Sequence, residues 1–315
     1  MSSPAEVVTF GETMAAMRGE GPLRLGGTLG LSVAGAESNV AIGLARLGHS
    51  VAWAGRVGDD ELGALVLRTL RAENVDVSGA VTDPARPTGL ILFERRTGDV
   101  TRVQYYRSGS AGGALEPGKP FIPNGARFLH ITGITPALGT EAARATASGA
   151  ERARDAGCAV SFDVNYRARL WSEDDARVAL RPLAATAGII FGSEPELSLL
   201  TGDPGSGART AAEELLGNGA QAVVVKRGAH GATAYTADGA VSVPARTVRA
   251  VDTIGAGDAF VAGYLSGALD GLDTAGRLRR GAIVSAFAVG SSGDWEGLPT
   301  RRELSLLDAE EETIR

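Results

Sequence analysis

The chain has 315 residues, 44% of them hydrophobic, which excludes a disordered protein. Its formal net charge of −6 argues against a broad electrostatic surface for nucleic acid or for an anionic membrane. Glycine accounts for 44 residues, about twice its ordinary share of ~7% and without the Gly-x-y period of collagen, so we expect glycines at turns and close backbone approaches.

Short apolar runs alternate along the chain with helical patterns rich in alanine and leucine. The runs are apolar on both faces, which is typical of strands in a covered sheet. This order predicts an α/β fold in which helices cover both faces of a mostly parallel central sheet, giving three layers. The predicted strands are residues 51–57, 128–132, 159–164, 188–191 and 222–226, and the predicted helices are residues 39–47, 61–73, 141–156, 174–185, 210–216, 259–269 and 278–289.

Two segments interrupt this alternation. The sequence TGLILFERRTGDVTRVQYYR at residues 88–107 predicts an antiparallel hairpin around a polar turn at 96–99. Residues 13–33 are similarly short-stranded and rich in turns. We expect lid strands from about 13–33 and 88–110 to form a small sheet over one end of the main sheet. Since no linker or internal repeat is visible, residues 1–315 are predicted to form a single domain.

The stretch DTIGAGDAFVAGYL at residues 252–265 carries the main chemical signal. Backbone N–H groups of Gly255, Ala256 and Gly257 can converge at the positive end of the following helix, forming a hole for an anion. Asp258 is then either a helix cap or a general base that deprotonates an alcohol beside a transferring phosphoryl group. Neither a Walker A motif nor a complete Gly-x-Gly-x-x-Gly motif occurs, which removes the main support for a P-loop protein or a nicotinamide-dependent dehydrogenase.

This stretch resembles the second signature of the ribokinase (PfkB-type) family of carbohydrate kinases. Residues 34–58, AGAESNVAIGLARLGHSVAWAGRVG, are similar to the N-terminal signature of that family. The resemblance covers essentially the whole chain, and it implies a ribokinase-like fold and ATP-dependent phosphorylation of a sugar hydroxyl. It also implies that Asp258 is the general base and that residues 255–257 form the anion hole.

Three short motifs look like those of 2-keto-3-deoxygluconate kinases within the family: FDVNYRARLW at 162–171, YYR at 105–107 and GDWEGLP at 293–299. An acid sugar needs a cation or donors for its carboxylate, and an arginine supplies two parallel hydrogen bonds. Arg107 and Arg167 are therefore expected at the substrate, although a solvated arginine on a lid strand is the simpler alternative for Arg107. The expected substrate-side residues are Gly35, Ala36, Glu37, Ser38, Asn39, Tyr105, Tyr106, Arg107, Arg167, Asp252, Asp258 and Asp294.

The stretch VVVKRGAHG at 223–231 looks like the family's strand and turn beside ATP, where Lys226 would reach a phosphate unless it is a solvent-facing hairpin lysine. Ser193 stands where many relatives carry asparagine, and Glu196 is kept. We expect that glutamate to act on Mg²⁺ through water, because Mg²⁺ retains much of its hydration. The expected ATP-side residues are Asn165, Arg167, Ser193, Lys226, Gly228, Gly231, Gly255, Ala256 and Gly257.

These observations predict an ATP- and Mg²⁺-dependent kinase that phosphorylates the 6-hydroxyl of 2-keto-3-deoxygluconate. The alternatives are a kinase of fructose, ribose or another keto-acid, and a non-catalytic sugar sensor. The single cysteine, Cys158, excludes an intrachain disulfide, the N-terminus shows no signal-peptide pattern, and no apolar run is long enough to span a bilayer. We therefore expect a cytoplasmic protein with no membrane or nucleic-acid partner, and, from the resemblance, a homo-oligomer that pairs through the lid.

Overall fold

The computed structural model describes residues 4–97, 100–116, 125–203, 205 and 207–307. The strands, numbered in chain order, are β1 Val7–Phe10, β2 Met14–Glu20, β3 Gly30–Ala34, β4 Val51–Ala54, β5 Arg56–Gly58, β6 Val75–Asp76, β7 Val81–Asp83, β8 Leu90–Thr97, β9 Val100–Tyr106, β10 Phe128–Thr132, β11 Ala159–Asp163, β12 Ile189–Gly192, β13 Ala222–Lys226, β14 Ala232–Thr236 and β15 Gly239–Val243. The α-helices are α1 Ala36–Arg46, α2 Glu61–Ala72, α3 Thr140–Asp155, α4 Glu173–Ala184, α5 Glu194–Ser198, α6 Ala208–Gly217, α7 Ala256–Leu269 and α8 Thr274–Val289.

The main sheet has the strand order β6-β4-β1-β10-β11-β12-β13-β14-β15. Every pair from β6 to β13 is parallel, and β14 and β15 are added as an antiparallel edge. The prediction of a mostly parallel sheet is confirmed. Because the parallel strands all end at one edge, side chains that follow β1, β11, β12 and β13 can meet there.

Helices cover both faces of this sheet. One core cluster joins Val40 of α1, Val66 of α2, Val261 of α7 and Val284 of α8 to the sheet through residues such as Val224. The opposite cluster joins α3, α4, α5 and α6 to alternate strand residues such as Val223, Val160 and Leu129. Adjacent residues Val223 and Val224 thus pack into different cores, as expected for successive positions of a strand buried on both faces. The three-layer prediction is confirmed.

A second sheet of order β3-β2-β8-β9 lies apart from the main sheet and contains the predicted lid strands, and we refer to it as the lid. Strands β8 and β9 pair antiparallel as the predicted hairpin, although residues 98 and 99 of its predicted turn lie outside the described residues. Strand β8 pairs parallel with β2, and β2 pairs antiparallel with β3. The inner face packs Met14, Ala16, Ile91 and Phe93 into a small apolar cluster of its own.

The predicted strand at 51–57 is wrong as a single element. It divides at Gly55 into β4, which stays in the main sheet, and β5, which pairs with β7 in a two-stranded sheet. A Cβ at Gly55 would overlap the Trp53 ring and the Gly11 carbonyl, so the chain turns where only glycine fits.

The other predicted elements are present with ends shifted by a few residues. Helix α1 begins at Ala36 instead of residue 39, because the extended Gly35 precedes it directly. Strands β1, β6, β7, β14 and β15 and the short helix α5 were not predicted. Among the helices of the described ranges, none combines the length and apolar character that crossing a membrane requires.

Candidate active site

A cavity of about 720 Å³ lies between the carboxyl ends of the main-sheet strands and the inner face of the lid. Residues from the main-sheet side, such as Asn39, Lys226 and Asp258, line it together with Ile91, Phe93 and other lid residues. The cavity is therefore polar and charged on one side and partly apolar on the other. Its position agrees with the general preference of open α/β sheets for ligands at their carboxyl edge.

Asp258, the third residue of α7, is buried at the main-sheet end of the cavity with 9% of its surface exposed. Its Oδ2 accepts a hydrogen bond of 2.9 Å from Asn39 Nδ2, and its Oδ1 accepts one of 3.4 Å from Asn165 Nδ2. Burial raises the pKa of Asp258, against the opposing effects of Asn39 and of the nearby Arg167 cation. Gly255 and not Asp258 is the cap residue of α7, so the helix-cap alternative for Asp258 is not what the structure has.

The turn at 255–257 has the geometry of an anion-binding helix start. Gly255 is left-handed with φ of 75°, and a Cβ there would overlap the Asp294 carbonyl. The N–H groups of Gly257 and Asp258 have no hydrogen-bond partner among the described residues. Free N–H groups at a helix start favour an anion. Gly255, Gly257 and Asp258 all line the cavity.

Lys226 at the end of β13 faces this turn, because its Nζ lies 3.5 Å from the position of a Cβ built on Gly257. The ammonium group donates to both carboxylate oxygens of Asp163, at 2.8 and 2.6 Å. Burial opposes its charge, but Asp163, Glu196 and Asp258 outweigh that effect and raise the pKa of Lys226. A permanent cation therefore lies beside the turn at 255–257.

Glu196 connects two loops at the same edge. Its Oε2 accepts from the Ser193 N–H at 2.7 Å and from Ser193 Oγ at 2.8 Å, and its Oε1 accepts from the Tyr166 N–H at 2.9 Å. Burial opposes ionisation, but Lys226 and these hydrogen bonds lower the pKa of Glu196, which keeps it ionised. Oε1 carries a single hydrogen bond, so it retains a lone pair for a water bound to a divalent cation, which fits the Mg²⁺ prediction. The described residues contain no cluster of three or more acidic, histidine or cysteine side chains able to hold a metal directly.

The loop after β11 brings an asparagine and two arginines to the cavity. Asn165 has a positive φ of 41°, a conformation that asparagine tolerates better than most residues. Arg167 is exposed and lines the cavity, and its guanidinium has no hydrogen-bond or ion-pair partner in the described part of the chain. Arg169 instead reaches the lid, where its Nη1 donates to the Val103 carbonyl of edge strand β9 at 2.7 Å.

At the lid end, Tyr105 and Arg107 line the cavity, with the guanidinium 5.3 Å from the Tyr105 ring centre. The Arg107 side chain is only 10% exposed and forms an ion pair with Glu12, which lies between β1 and β2. The solvated arginine considered from the sequence is thus not what the structure has. Arg18 of β2 likewise forms an ion pair with Asp294, and its Nη1 lies 3.6 Å from Asp252 Oδ2. These contacts connect the lid to loops near α7.

The turn that starts α1 lines the cavity and is tightly packed. A Cβ at Gly35 would overlap the Glu12 carbonyl, and the Ser38 hydroxyl donates to the Gly35 carbonyl at 3.0 Å. Glu37 accepts hydrogen bonds of 2.7 Å from both Thr132 and Thr135, and burial raises its pKa to about 7. Glu37 therefore stabilises the turn at the start of α1, which also carries Asn39.

The structure brings most of the predicted site residues to one cavity. The predicted residues that line it are Gly35, Ala36, Glu37, Asn39, Tyr105, Arg107, Asn165, Arg167, Glu196, Lys226, Gly255, Gly257, Asp258 and Asp294. The predicted residues that do not line it are Ser38, Tyr106, Ser193, Gly228, Gly231, Asp252 and Ala256.

Local geometry explains why most of these residues do not line the cavity. Tyr106 follows Tyr105 on a strand, so it lies on the outer face of the lid, 59% exposed. Ser193 caps α5, and Asp252 accepts a hydrogen bond from the Ile254 N–H. Gly228 and Gly231 bound a short 3₁₀ helix between β13 and β14, with φ of 55° and 83°.

No role was predicted for three residues that shape the site: Glu12, Arg18 and Arg169. For Glu12 a signal existed, since it stands just after a short apolar run at residues 7–10. Nothing in the sequence pairs Arg18 with residues 252 and 294, because their contact spans more than two hundred positions of chain.

Comparisons with known proteins agree with this geometry. The family described as "pfkB family carbohydrate kinase" matches residues 4–301. The 2-dehydro-3-deoxygluconokinase of Bacillus subtilis is 38% identical over 319 residues, covering 98% of this chain and 97% of that protein. The 2-dehydro-3-deoxygalactonokinase of Haloferax volcanii is 35% identical and covers 92% of each chain. A crystal structure of a putative ribokinase II from E. coli in complex with ATP and Mg²⁺ superposes with a TM-score of 0.89 at 27% identity, covering 96% of this chain and 99% of that one.

Proposed function

The chain belongs to the pfkB family of carbohydrate kinases, and we propose that it transfers the γ-phosphoryl group of ATP to the 6-hydroxyl of 2-keto-3-deoxygluconate. The products are 2-keto-3-deoxy-6-phosphogluconate and ADP. The observation that supports this proposal is that a buried carboxylate and a helix start with free N–H groups share one cavity with Arg107 of the lid and Arg167 of the loop after β11.

Asp258 is the proposed general base. A hydroxyl placed against its carboxylate gives up its proton as the oxygen forms a bond to the γ-phosphorus, and the bond from that phosphorus to the bridging oxygen of ADP breaks. The hydrogen bonds from Asn39 and Asn165 hold the carboxylate in place for this transfer. A raised pKa makes Asp258 a stronger base than an exposed aspartate.

Residues 255–257 and Lys226 are proposed to hold the transferring phosphoryl group. The unbonded N–H groups of Gly257 and Asp258 and the nearby Lys226 ammonium provide donors and positive charge where negative charge is transferred. Glu196 would hold a hydrated Mg²⁺ through Oε1, and that ion, when bound, neutralises phosphate charge. Support for ATP and Mg²⁺ comes from their presence in the superposed E. coli structure.

Arg107, Tyr105 and Arg167 are proposed to recognise the acid sugar. The cavity positions Arg107 on the lid and the unpartnered Arg167 on the facing loop, so two cations are available to one carboxylate. Asn39 and the turn at Gly35 are proposed to hold sugar hydroxyls, with the Asn39 amide acting as donor and acceptor.

A substrate panel tests the proposal. Purified protein is assayed for turnover at fixed ATP and Mg²⁺ with the gluconate-derived acid, its galactonate-derived epimer, fructose and ribose. We expect the highest kcat/KM for the gluconate-derived acid. Higher kcat/KM for a neutral sugar would overturn the assignment to acid sugars, and equal values for the two acids would show that the chain accepts both epimers.

Two further proposals accompany this function. Pairing of two copies through the lid is supported by the exposed apolar side chains on its outer face, such as Leu31 at 53% exposure. Gel filtration with light scattering measures the mass and would contradict pairing if only a monomer were found. A cytoplasmic location remains a prediction from the sequence.

A further inference from the structure

Glu12 is an acidic residue buried in a cavity proposed to bind an acid, which calls for an explanation. It is 3% exposed, lines the cavity and lies in the short connection from β1 of the main sheet to β2 of the lid. Both of its carboxylate oxygens are used. Oε2 accepts from Arg107 Nη2, and Oε1 accepts from Ser110 Oγ at 2.9 Å.

We propose that Glu12 is a positioning residue for substrate specificity, which acts by orienting Arg107 toward the carboxylate of an acid sugar. This inference rests on the proposed function, because it assumes that Arg107 recognises a carboxylate. Glu12 itself is not proposed to touch the sugar acid, since two carboxylates in contact would repel each other.

The bonds of Glu12 fix a whole turn, and not only one side chain. Arg107 and Ser110 are the first and last residues of a turn closed by a hydrogen bond of 3.0 Å from the Ser110 N–H to the Arg107 carbonyl. Glu12 binds the side chains at both ends of that turn, where β9 leaves the lid. The residue therefore connects the main sheet, the lid and the segment that carries Arg107.

Two glycines make room for this arrangement. A Cβ at Gly112 would overlap the Glu12 side chain, and a Cβ at Gly89 would lie 2.9 Å from Glu12 Oε1. Neither glycine has a left-handed backbone, so both positions need glycine because of space and not because of conformation. The absence of side chains at these two glycines thus leaves the space that the Glu12 side chain occupies.

Glu12 leaves part of Arg107 available to a ligand. The ion pair engages Nη2, whereas Nε is buried without a hydrogen-bond partner in the described part of the chain. Because Arg107 lines the cavity, a ligand there can approach the guanidinium donors that Glu12 does not engage. An arginine held in advance also loses less conformational freedom when it binds the substrate.

The test compares Glu12→Ala with Glu12→Gln. Loss of the carboxylate in Glu12→Ala should raise the KM for the sugar acid about tenfold or more while the KM for ATP stays unchanged, since misplaced recognition groups have effects of this size. Glu12→Gln should recover most of that loss, because its amide oxygen accepts from Arg107 and its NH₂ donates to the Ser110 hydroxyl. A purely structural role would instead lower kcat and the melting temperature without changing the KM for the acid selectively.

A double-mutant cycle then shows whether Glu12 acts through Arg107. In an Arg107→Ala background, Glu12→Ala should have no further effect on the KM for the sugar acid. Effects that multiply would overturn the inference. The proposed function fails separately if the wild-type protein does not prefer the sugar acid to neutral sugars, or if Arg107→Ala raises the KM for both kinds of sugar equally.

Adjacent glycines supply a variant that leaves every polar group in place. Gly112→Ala should displace Glu12 and reproduce the raised KM for the acid. Gly113→Ala is the matched control in the same 3₁₀ helix, because its Cβ would meet only Leu138 at 3.5 Å or more. Equal KM values for the two variants would contradict the positioning role.

Discussion

At the main-sheet end of the cavity, Asp258 and residues 255–257 are held by the backbone of one turn and the start of α7. At the lid end, Arg107 is held by the side chain of Glu12, which comes from a different part of the chain. The backbone turn at 255–257 is local in sequence, although Asn39 and Asn165 from distant segments bind the Asp258 carboxylate. The Arg107–Glu12 ion pair has no such local part and joins residues 95 positions apart. In the proposed function, the phosphoryl group is thus held mainly by the backbone of one turn, and the sugar acid is recognised by a network of side chains.

This difference indicates how each end can change. A backbone site tolerates few substitutions, because the groups proposed to bind the anion are N–H groups in a fixed conformation. A side-chain network can be rearranged by single substitutions that leave the turn at 255–257 untouched. We therefore expect variants at the main-sheet end to lower kcat for every sugar, and variants at the lid end to change the KM for particular sugars.

The largest effect is expected for Asp258→Asn. It removes the proton acceptor but keeps a side chain of nearly the same shape between Asn39 and Asn165. Turnover should fall by about a thousandfold with every sugar, since general-base catalysis is worth ~10²–10⁴. ATP binding, measured by calorimetry, should persist.

Asp273→Asn is the control for this variant, because Asp273 caps α8 and lies outside the cavity lining. It should keep full activity. Wild-type turnover by Asp258→Asn would exclude Asp258 as the base.

The pH dependence follows from the burial of Asp258. Its pKa is raised, and only the ionised form accepts a proton, so kcat/KM should fall on acidification at a higher pH than an exposed aspartate would give. Glu37 is a second buried carboxyl at the cavity, and burial raises its pKa to about 7. The pH profile of Glu37→Gln separates the two groups. If the acidic limb disappears in that variant, the limb belongs to Glu37.

A second main-sheet prediction concerns the turn itself. Gly255→Ala places a Cβ on the Asp294 carbonyl in a left-handed residue, so kcat should fall about a hundredfold as the donors move. Gly271→Ala is the matched control, with φ of 76° and nothing within 4 Å of its Cβ. It should lower stability by ~1 kcal/mol in urea unfolding, as for a strained residue in open space, and leave kcat unchanged. Equal kcat for the two variants would show that the turn is not part of the site.

The sequence predicted the backbone site better than the side-chain site for a physical reason. Residues 252–265 contain the whole turn, and the strand and helix patterns around them follow local periodicity. Arg107 was predicted at the cavity, but Glu12 as its partner was not, because nothing local relates residue 12 to residue 107. The division of the predicted strand at Gly55 was missed for the same reason, since the crowding there comes from Gly11 and Trp53 in the folded chain.

Variants of Arg167 test the role of the loop after β11, and their expected effect on kinetics is smaller than that of Gly255→Ala. It is the unpartnered cation of the cavity within the described residues, so Arg167→Ala should lower kcat/KM for the sugar acid about tenfold, as expected for the loss of a charged hydrogen bond. Arg167→Lys keeps the charge without the paired donors and should fall between wild type and Arg167→Ala. An equal loss with fructose, ribose and the sugar acid would assign Arg167 to the phosphate instead of the carboxylate.

The smallest effect is expected for Arg169, two residues further along the same loop. Its hydrogen bond to the Val103 carbonyl connects the loop to the free edge of the lid, and it donates to no ligand in the proposed function. A single such bond is worth ~1 kcal/mol, so Arg169→Ala should raise the KM about fivefold for acid and neutral sugars alike, because it loosens the lid over both. Parallel KM measurements for the acid and for one neutral sugar check this. A rise in KM for the acid alone would mean that Arg169 takes part in recognising the carboxylate, as Arg167 is proposed to do.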